Sequence, residues 1–226
     1  MRVLSPEHPR LLQREELRTP KQQWGHCSFM AGIDMVGQVA EGHNGKTLAY
    51  SENQAAALRL LEATHPEALQ CRDFNLGQWR FWAERLEQGS VAPMLGSMGS
   101  SCVPWTPAGP QRRKKHKQAN ETADAAATAR HLDLPYFLVE NVYGLVGDDH
   151  LHGAFTDALA QWLRCGYTLA AIFKVAHHHC GGTTRRERVF VLFQDINLHA
   201  QVGLPAVYPS PKITPPPLST FPGLRP

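Results

Sequence analysis

The sequence lacks a long hydrophobic run, since no stretch of about 18 or more apolar residues occurs, and this argues against a membrane-spanning helix. Its first residues contain no apolar segment of the secretory type, so we expect an intracellular protein, cytoplasmic or nuclear, that is not secreted. Cysteine is scarce and odd in number, which favours reduced thiols over a disulfide framework; the five are Cys27, Cys71, Cys102, Cys165 and Cys180. The net charge is only +3, so any basic binding surface must come from local clustering.

What the chain does contain is an alternation of short apolar runs with helical patterns. Seven apolar runs predict strands at 27–32, 47–52, 67–71, 92–98, 136–142, 168–176 and 188–194. Four stretches with apolar residues three and four apart predict helices at 53–65, 76–88, 120–132 and 153–166. This order predicts an α/β fold with a doubly wound, mostly parallel sheet. The last two strands have no helix between them and therefore predict an antiparallel pair at one edge.

The composition predicts three regions. Residues 1–25 are polar and punctuated by proline, and we expect an N-terminal arm there. Residues 26–198 carry the alternating pattern and form the domain. Residues 199–226 are rich in proline and predict a disordered, extended tail.

Chemically useful side chains stand where four neighbouring strands are predicted to end. Glu52 ends the second strand, Asp73 follows the third, Cys102 follows the fourth, and Glu140 with Asn141 ends the fifth. In open parallel sheets ligands bind beyond the carboxyl ends of the strands. We therefore expect these groups to meet in one crevice.

The segment "GSSCVPWTPAG", residues 99–109, surrounds Cys102 with small residues and then stiffens the chain with prolines. It predicts either a held, accessible thiol or an ordinary loop cysteine. Directly after it comes a basic cluster, which is either a solvated loop or a loop that contacts nucleic-acid phosphates. The cluster comprises Arg112, Arg113, Lys114, Lys115 and Lys117.

Three motifs together resemble those of cytosine-5 DNA methyltransferases. Residues 99–109 resemble the Pro-Cys motif, "FLVENVYGL" (137–145) resembles the Glu-Asn-Val motif, and residues 162–193 resemble the block that leads to an arginine pair. They occur in the family's order and spacing. The resemblance implies the Rossmann-like fold of S-adenosylmethionine-dependent methyltransferases and a DNA (cytosine-5)-methyltransferase activity on a cytosine flipped out of double-stranded DNA.

The same resemblance implies roles for individual residues. Cys102 matches the nucleophile that adds to C6 of cytosine, which turns C5 into a carbon able to accept a methyl group. Glu140 matches the acid that meets the N3 edge of the base, although in isolation it also reads as a helix cap. Arg186 and Arg188 match the pair that holds the base oxygen, although alone they also read as surface cations. Asn141 is expected to brace the loop.

The resemblance also implies a site for S-adenosyl-L-methionine. Glu52 matches the acid that accepts hydrogen bonds from the ribose, and Asp73 matches the acid that receives the adenine amino group. The remaining residues expected at the cosubstrate are Ala31, Gly32, Ile33, Asn53 and Phe74. Asp34 and Met35 stand where the family has paired glycines, and a bulky negative side chain there is expected to weaken binding.

Several alternatives stay open at this point. The segment "AHHHCGG", residues 176–182, contains metal-ligand residue types, but its spacing favours a loop, and we expect no metal. The family continues into a target-recognition region, where this sequence has a proline-rich tail, so a separate recognition polypeptide is a possible partner. The chain is then a DNA (cytosine-5)-methyltransferase, an RNA cytosine-5 methyltransferase, or a weakly active or inactive nucleic-acid-binding or regulatory relative. No membrane partner is expected.

Overall fold

In this computed structural model, seven strands form one sheet. The structure describes residues 23–71, 76–100, 120–147, 152–176 and 187–198. The strands are β1 (Trp24–Phe29), β2 (Gly45–Ser51), β3 (Leu69–Cys71), β4 (Pro93–Gly99), β5 (Tyr136–Asn141), β6 (Tyr167–Ala176) and β7 (Glu187–Asp195). The helices are α1 (Met35–Gly42), α2 (Ala55–Thr64), α3 (Leu76–Glu87), α4 (Glu121–His131), α5 (Gly144–Gly147) and α6 (His152–Arg164).

The strand order in the sheet is β3-β2-β1-β4-β5-β7-β6. The pairs β1–β2, β1–β4, β2–β3 and β4–β5 are parallel, whereas β7 runs antiparallel to both β5 and β6. The predicted doubly wound, mostly parallel sheet with an antiparallel pair at one edge is confirmed. Because β7 is reversed, its first residues lie at the edge where the parallel strands end.

Each predicted strand and helix has a counterpart, but the region between Met30 and Gly42 differs from the prediction. β1 covers Trp24 to Phe29, so it begins inside the predicted arm and ends before Met30, whose φ of 50° cannot continue a strand. The sequence reading also missed α1, which Asp34 caps by accepting a hydrogen bond from the Gly37 N–H. Two glycines in eight residues hid this helix from the periodicity argument.

The main hydrophobic core lies between one face of the sheet and helices α3, α4 and α6. Cys27 and Phe29 of β1 face this core, and the alternate residues His26 and Ser28 face the opposite side, as the two-residue period of a strand requires. Trp162 of α6 is fully buried at the centre of the core. Its ring stacks on Phe193 at 4.1 Å between centroids, and its indole N–H donates to the Thr122 carbonyl at 2.9 Å. Aromatic contacts and a satisfied indole N–H make this a strong attachment of α6 to the sheet.

In the part of the chain that the structure describes, no helix is both long enough and apolar enough to span a membrane. The predicted tail, residues 199–226, lies outside the described residues, as does the predicted arm before Gln23.

Candidate active site

The sheet contains five parallel strands in the order β3-β2-β1-β4-β5, and their carboxyl ends share one edge of it. β1 separates the strand before Glu52 from the strand before Ser100. Glu52 directly follows β2 and Ser100 directly follows β4, while Glu140 lies near the end of β5. The β4–β5 register pairs Gly99 with Glu140, so the segment that leads to Cys102 begins beside Glu140. We call the edge of the sheet at which the parallel strands end the carboxyl edge.

The structure brings Glu140 and Arg188 into direct contact. The Arg188 Nε lies 2.6 Å from the Glu140 Oε1, and the two side chains are 21% and 32% exposed. The sheet register explains the contact. Glu140 pairs with Phe190 across the antiparallel β5–β7 ladder, so Arg188, two residues before Phe190, faces the same side of the sheet. A charge-assisted contact of this length fixes the orientation of both groups.

A buried hydrogen-bond network holds the end of β4 beside the end of β5. Asn141 is fully buried, and its Nδ2 donates to the Ser100 Oγ at 2.6 Å. Its Oδ1 accepts from the Val142 N–H at 2.7 Å. Thr122 of α4 adds a longer hydroxyl contact to the Ser100 Oγ at 3.4 Å. Ser100 is therefore fixed two positions before Cys102 in the sequence. The sequence reading gave Asn141 a bracing role but missed Ser100 and Thr122, because isolated hydroxyl residues carry no sequence signal.

Glu52 is tied to the backbone around it. Its Oε2 accepts from the Gly32 N–H at 2.7 Å, and its Oε1 accepts from the Asn53 and Gln54 N–H groups at 2.7 and 2.8 Å. A carboxylate has about four acceptor positions, so about one remains for an external hydroxyl donor. Glu52 is only 8% exposed, and its orientation is set by these three bonds. Glu52 therefore keeps an acceptor position for a hydroxyl donor.

The loop between β1 and α1 has left-handed backbone geometry at three of its five residues. The φ angles of Met30, Gly32 and Asp34 are 50°, 57° and 50°. The position of Asp34 in place of a glycine suggested that its charge stands at the loop surface, but the structure shows otherwise. The Asp34 side chain turns inward, is 2% exposed, and accepts from the Ser28 hydroxyl at 2.8 Å. Ala31 and Ile33 lie in the same loop, where Ile33 is half exposed.

The described cysteines do not suit a nucleophile. Cys27 is fully buried, and burial raises the pKa of its thiol to about 12. Cys71 is 4% exposed. Cys165 lies at the opposite edge of the sheet, just before β6, and burial raises the pKa of its thiol as well. A thiol must ionise to attack, so each of these groups is poorly placed for that chemistry.

Several predicted residues lie outside the described ranges, so the structure places none of them. They are Cys102, Asp73, Phe74, Arg186, Arg112, Arg113, Lys114, Lys115, Lys117 and the histidine-rich segment 177–182.

A groove of about 1130 Å³ lies at the opposite edge of the sheet, where the parallel strands begin. Its lining includes Met94, Arg130, Leu132, Gly166 and Ile196. None of the predicted site residues that the structure describes lines this groove. The groove is therefore separate from the carboxyl edge.

The sheet order, the reversed β7 and the polar carboxyl edge define the Rossmann-like fold of the S-adenosylmethionine-dependent methyltransferases. Within that class the chain belongs to the C-5 cytosine-specific DNA methylase family, whose model matches residues 26–214. The resemblance seen in the three sequence motifs is thereby confirmed.

Solved structures with the same fold are distant in sequence. One described as a DNA modification methyltransferase encoded within an E. coli prophage has a TM-score of 0.60 at 15% identity, covering 82% of this chain and 52% of its own. A mutant of Spodoptera frugiperda DNMT2 has a TM-score of 0.57 at 18% identity, covering 85% of this chain and 57% of its own. Entamoeba histolytica EhMeth has a TM-score of 0.56 at 14% identity, covering 77% and 53%.

The chain thus spans little more than half the length of these solved structures. No curated protein sequence matches it significantly.

Proposed function

We propose that this chain carries the catalytic region of a DNA (cytosine-5)-methyltransferase. It transfers the methyl group of S-adenosyl-L-methionine to C5 of a cytosine through a covalent bond between Cys102 and C6. The observation that carries the proposal is the contact between Glu140 and Arg188 at the carboxyl edge, in a chain of this family. Two oppositely charged groups held side by side next to the strand that leads to Cys102 suit recognition of one polar base edge.

The reaction needs a nucleophile because C5 of cytosine does not readily donate electrons. When the Cys102 thiolate forms a bond to C6, the ring loses its conjugation and C5 becomes nucleophilic. C5 then bonds the methyl carbon as the bond between that carbon and the sulfonium sulfur breaks, and S-adenosyl-L-homocysteine leaves. A base removes the C5 proton, the electrons of that bond restore the C5–C6 double bond, and the Cys102 sulfur departs with the electrons of its bond to C6. Splitting one difficult step into two is the general advantage of covalent catalysis.

Glu140 stabilises the negative charge that builds on the ring when the thiolate adds. The Arg188 guanidinium holds its Oε1. The other Glu140 oxygen, Oε2, is the atom that we assign to the N3 edge of the base, where it passes on a proton that the carboxyl group has taken up from solvent and recovers it when Cys102 leaves. Arg188, and Arg186 by its resemblance, orient the base oxygen and balance the charge.

The residues around the β1–α1 loop support a cosubstrate site. S-adenosyl-L-methionine, when bound, supplies an electrophilic methyl group. Glu52 offers its remaining acceptor position to a ribose hydroxyl, and Gly32 keeps the backbone free of a side chain beside it. A carboxylate already oriented by three backbone N–H groups loses little freedom when it binds a further donor.

Double-stranded DNA with a flipped cytosine is the proposed substrate, and RNA is the alternative acceptor that the experiment must separate. The basic cluster between Arg112 and Lys117 is a proposed phosphate contact. A separate target-recognition polypeptide is a further proposed partner.

Trapping on an oligonucleotide that contains 5-fluorocytosine tests the chemistry directly. Fluorine at C5 cannot leave as the proton does, so the enzyme stays covalently attached after methyl transfer. We expect a denaturant-resistant adduct that requires S-adenosyl-L-methionine, and mass spectrometry should locate it at Cys102. Parallel DNA and RNA oligonucleotides identify the acceptor.

The matched controls are Cys102→Ala and Cys165→Ala. Each removes one thiol, but Cys165 lies at the opposite edge of the sheet and its loss should leave the yield of adduct unchanged. An equal yield from Cys102→Ala would remove that residue from the mechanism. No binding of S-adenosyl-L-methionine, together with retained DNA binding, would instead indicate a non-catalytic relative.

A further inference from the structure

A buried polar cluster beneath the β1–α1 loop centres on Asp34. The Asp34 Oδ1 accepts from the Ser28 hydroxyl at 2.8 Å and from the Gly37 N–H at 3.0 Å. The first bond ties it to β1, and the second caps α1. One short side chain therefore joins the strand before the loop to the helix after it.

The other oxygen of Asp34 faces two buried histidines. His65 Nε2 lies 3.4 Å from the Asp34 Oδ2, and His26 Nδ1 lies 4.0 Å from it. His65 Nδ1 is in turn 2.9 Å from the Glu41 Oε1 of α1, and His26 Nε2 is 2.7 Å from the Ser97 Oγ of β4. Asp34, His26 and His65 are each at most 5% exposed. Among the described residues the Asp34 Oδ2 has no hydrogen-bond partner, so the carboxylate is held by the two bonds to its Oδ1.

A metal ion does not account for this cluster. Among the described residues, no group of three histidine, cysteine, aspartate or glutamate side chains has an arrangement that could hold one. The cluster instead supports the loop above it, and the backbone shows why support is needed.

Asp34 has φ 50° and ψ 54°, a left-handed conformation that aspartate and asparagine adopt more readily than other residues with a Cβ, because their short side chains can hydrogen-bond locally, as Asp34 does with the Gly37 N–H. Two residues earlier, the Gly32 N–H donates to the Glu52 Oε2 at 2.7 Å. The loop is thus fastened at Gly32 to the proposed ribose acceptor and at Asp34 to the buried cluster.

We propose that Asp34 is a positioning residue for cosubstrate binding: its buried carboxylate, anchored by Ser28 and faced by His65, holds the left-handed β1–α1 loop against Glu52. A glycine at this position would adopt the left-handed geometry freely, whereas the Asp34 side chain also holds the loop in place. The inference rests on the proposed function, because the cosubstrate site at this loop is itself part of that proposal.

Three variants separate the hydrogen bonds of the Asp34 side chain from the preference of the residue for left-handed backbone geometry. Asp34→Asn keeps an Oδ1 acceptor and tolerates left-handed geometry, Asp34→Gly keeps only the geometry, and Asp34→Ala keeps neither. By isothermal titration calorimetry we expect alanine to raise the Kd for S-adenosyl-L-methionine at least about tenfold, and asparagine to stay within about threefold of the wild type. Glycine should weaken binding to an intermediate extent. A glycine variant that binds as tightly as the wild type would overturn the proposal.

Leu86→Ala is the control for a loss of stability alone. Leu86 is a core residue of α3 that lines the groove at the opposite edge of the sheet, and its truncation is expected to lower Tm without removing a contact of Asp34. We expect its Kd for S-adenosyl-L-methionine to remain that of the wild type at temperatures where it is folded. If Leu86→Ala weakens binding as much as Asp34→Ala, the effect is general destabilisation and the proposal fails.

Hydrogen exchange of the Gly32 amide in the ligand-free protein gives a second readout that does not depend on the cosubstrate. We expect Asp34→Ala to speed this exchange at least about tenfold and Leu86→Ala to change it little under conditions where both are folded. Unchanged exchange in Asp34→Ala would refute the positioning role. If the wild type binds no S-adenosyl-L-methionine, the proposed function fails, while the exchange measurement still decides whether Asp34 holds the loop.

Discussion

Replacing Asn141 by alanine removes a donor and an acceptor from a fully buried position between β4 and β5. The variant loses the 2.6 Å bond to the Ser100 Oγ and leaves the Val142 N–H without the Oδ1 that it donates to at 2.7 Å. A lost hydrogen bond costs about 0.5–1.5 kcal/mol, and a buried donor left unsatisfied costs about 1–3 kcal/mol. We therefore expect the free energy of unfolding to fall by about 2–4 kcal/mol.

A double-mutant cycle with Ser100→Ala isolates the pair. If the 2.6 Å bond contributes as a buried hydrogen bond should, the double variant is less destabilised than the sum of the single variants by about 1 kcal/mol. Urea denaturation with linear extrapolation measures each term. Thr122→Val is the control, because its hydroxyl contact to Ser100 is long, at 3.4 Å, and its loss should cost less than about 1 kcal/mol.

Asn141→Ala should also lower the methyl-transfer rate by more than its loss of stability accounts for. Ser100 stands two residues before Cys102, and a displacement of about 1 Å in a reacting group can cost on the order of 10²-fold in rate. We expect Asn141→Ala to lower the methyl-transfer rate by about that factor at a temperature where the protein is fully folded. A coupling energy below about 0.3 kcal/mol, with an unchanged transfer rate, would refute the view that this network positions the end of β4.

Three further outcomes are expected. Glu140→Gln keeps the size of the side chain but cannot deliver a proton, so methyl transfer should fall by about 10²-fold or more while S-adenosyl-L-methionine affinity in calorimetry is unchanged. Gly37→Ala should lower the free energy of unfolding in urea denaturation by more than about 1 kcal/mol, because a Cβ there overlaps Asp34 and would lie 2.7 Å from the Thr47 Oγ1. Gly42→Ala in the same helix is the control: its Cβ meets nothing within 4 Å, so the substitution should be neutral or stabilising. Burial lowers the pKa of His26 below its ordinary 6.5, against the opposing effect of the Asp34 charge. The unfolded chain therefore binds more protons than the folded protein below about pH 6.5, and the free energy of unfolding should fall as the pH falls. A His26→Gln variant that loses stability just as steeply would contradict this.

The sequence predicted the sheet well because its signals are local and repeated. Buried parallel strands are apolar runs, and helices α2, α3, α4 and α6 carry apolar residues at helical spacing. The reversal of β7 followed from the absence of a helix before it. The motif resemblance assigned Glu140 and Arg188 to one site, but their direct contact depends on the register between β5 and β7, which the sequence reading did not predict.

What escaped prediction depends on contacts between distant residues. α1 is short and contains two glycines, so its periodicity is weak, and its start is defined by the Asp34 cap. The inward orientation of Asp34 follows from Ser28, His26 and His65, which are brought together only by the folded sheet and α2. No pattern along the chain indicates that a charge at a glycine position will be buried beneath the loop instead of standing above it.

The antiparallel ladder between β5 and β7 also limits how this part of the sequence can change its length. Arg188 meets Glu140 only because Glu140 stands opposite Phe190, and successive side chains of a strand point to opposite faces. Deleting a single residue between Arg188 and Phe190 would rotate the arginine to the other side of the sheet, even though every residue type of the motif survived. An insertion or deletion between Arg188 and Phe190 should therefore abolish the contact between Arg188 and Glu140. Differences in length among related sequences should occur before Glu187 instead.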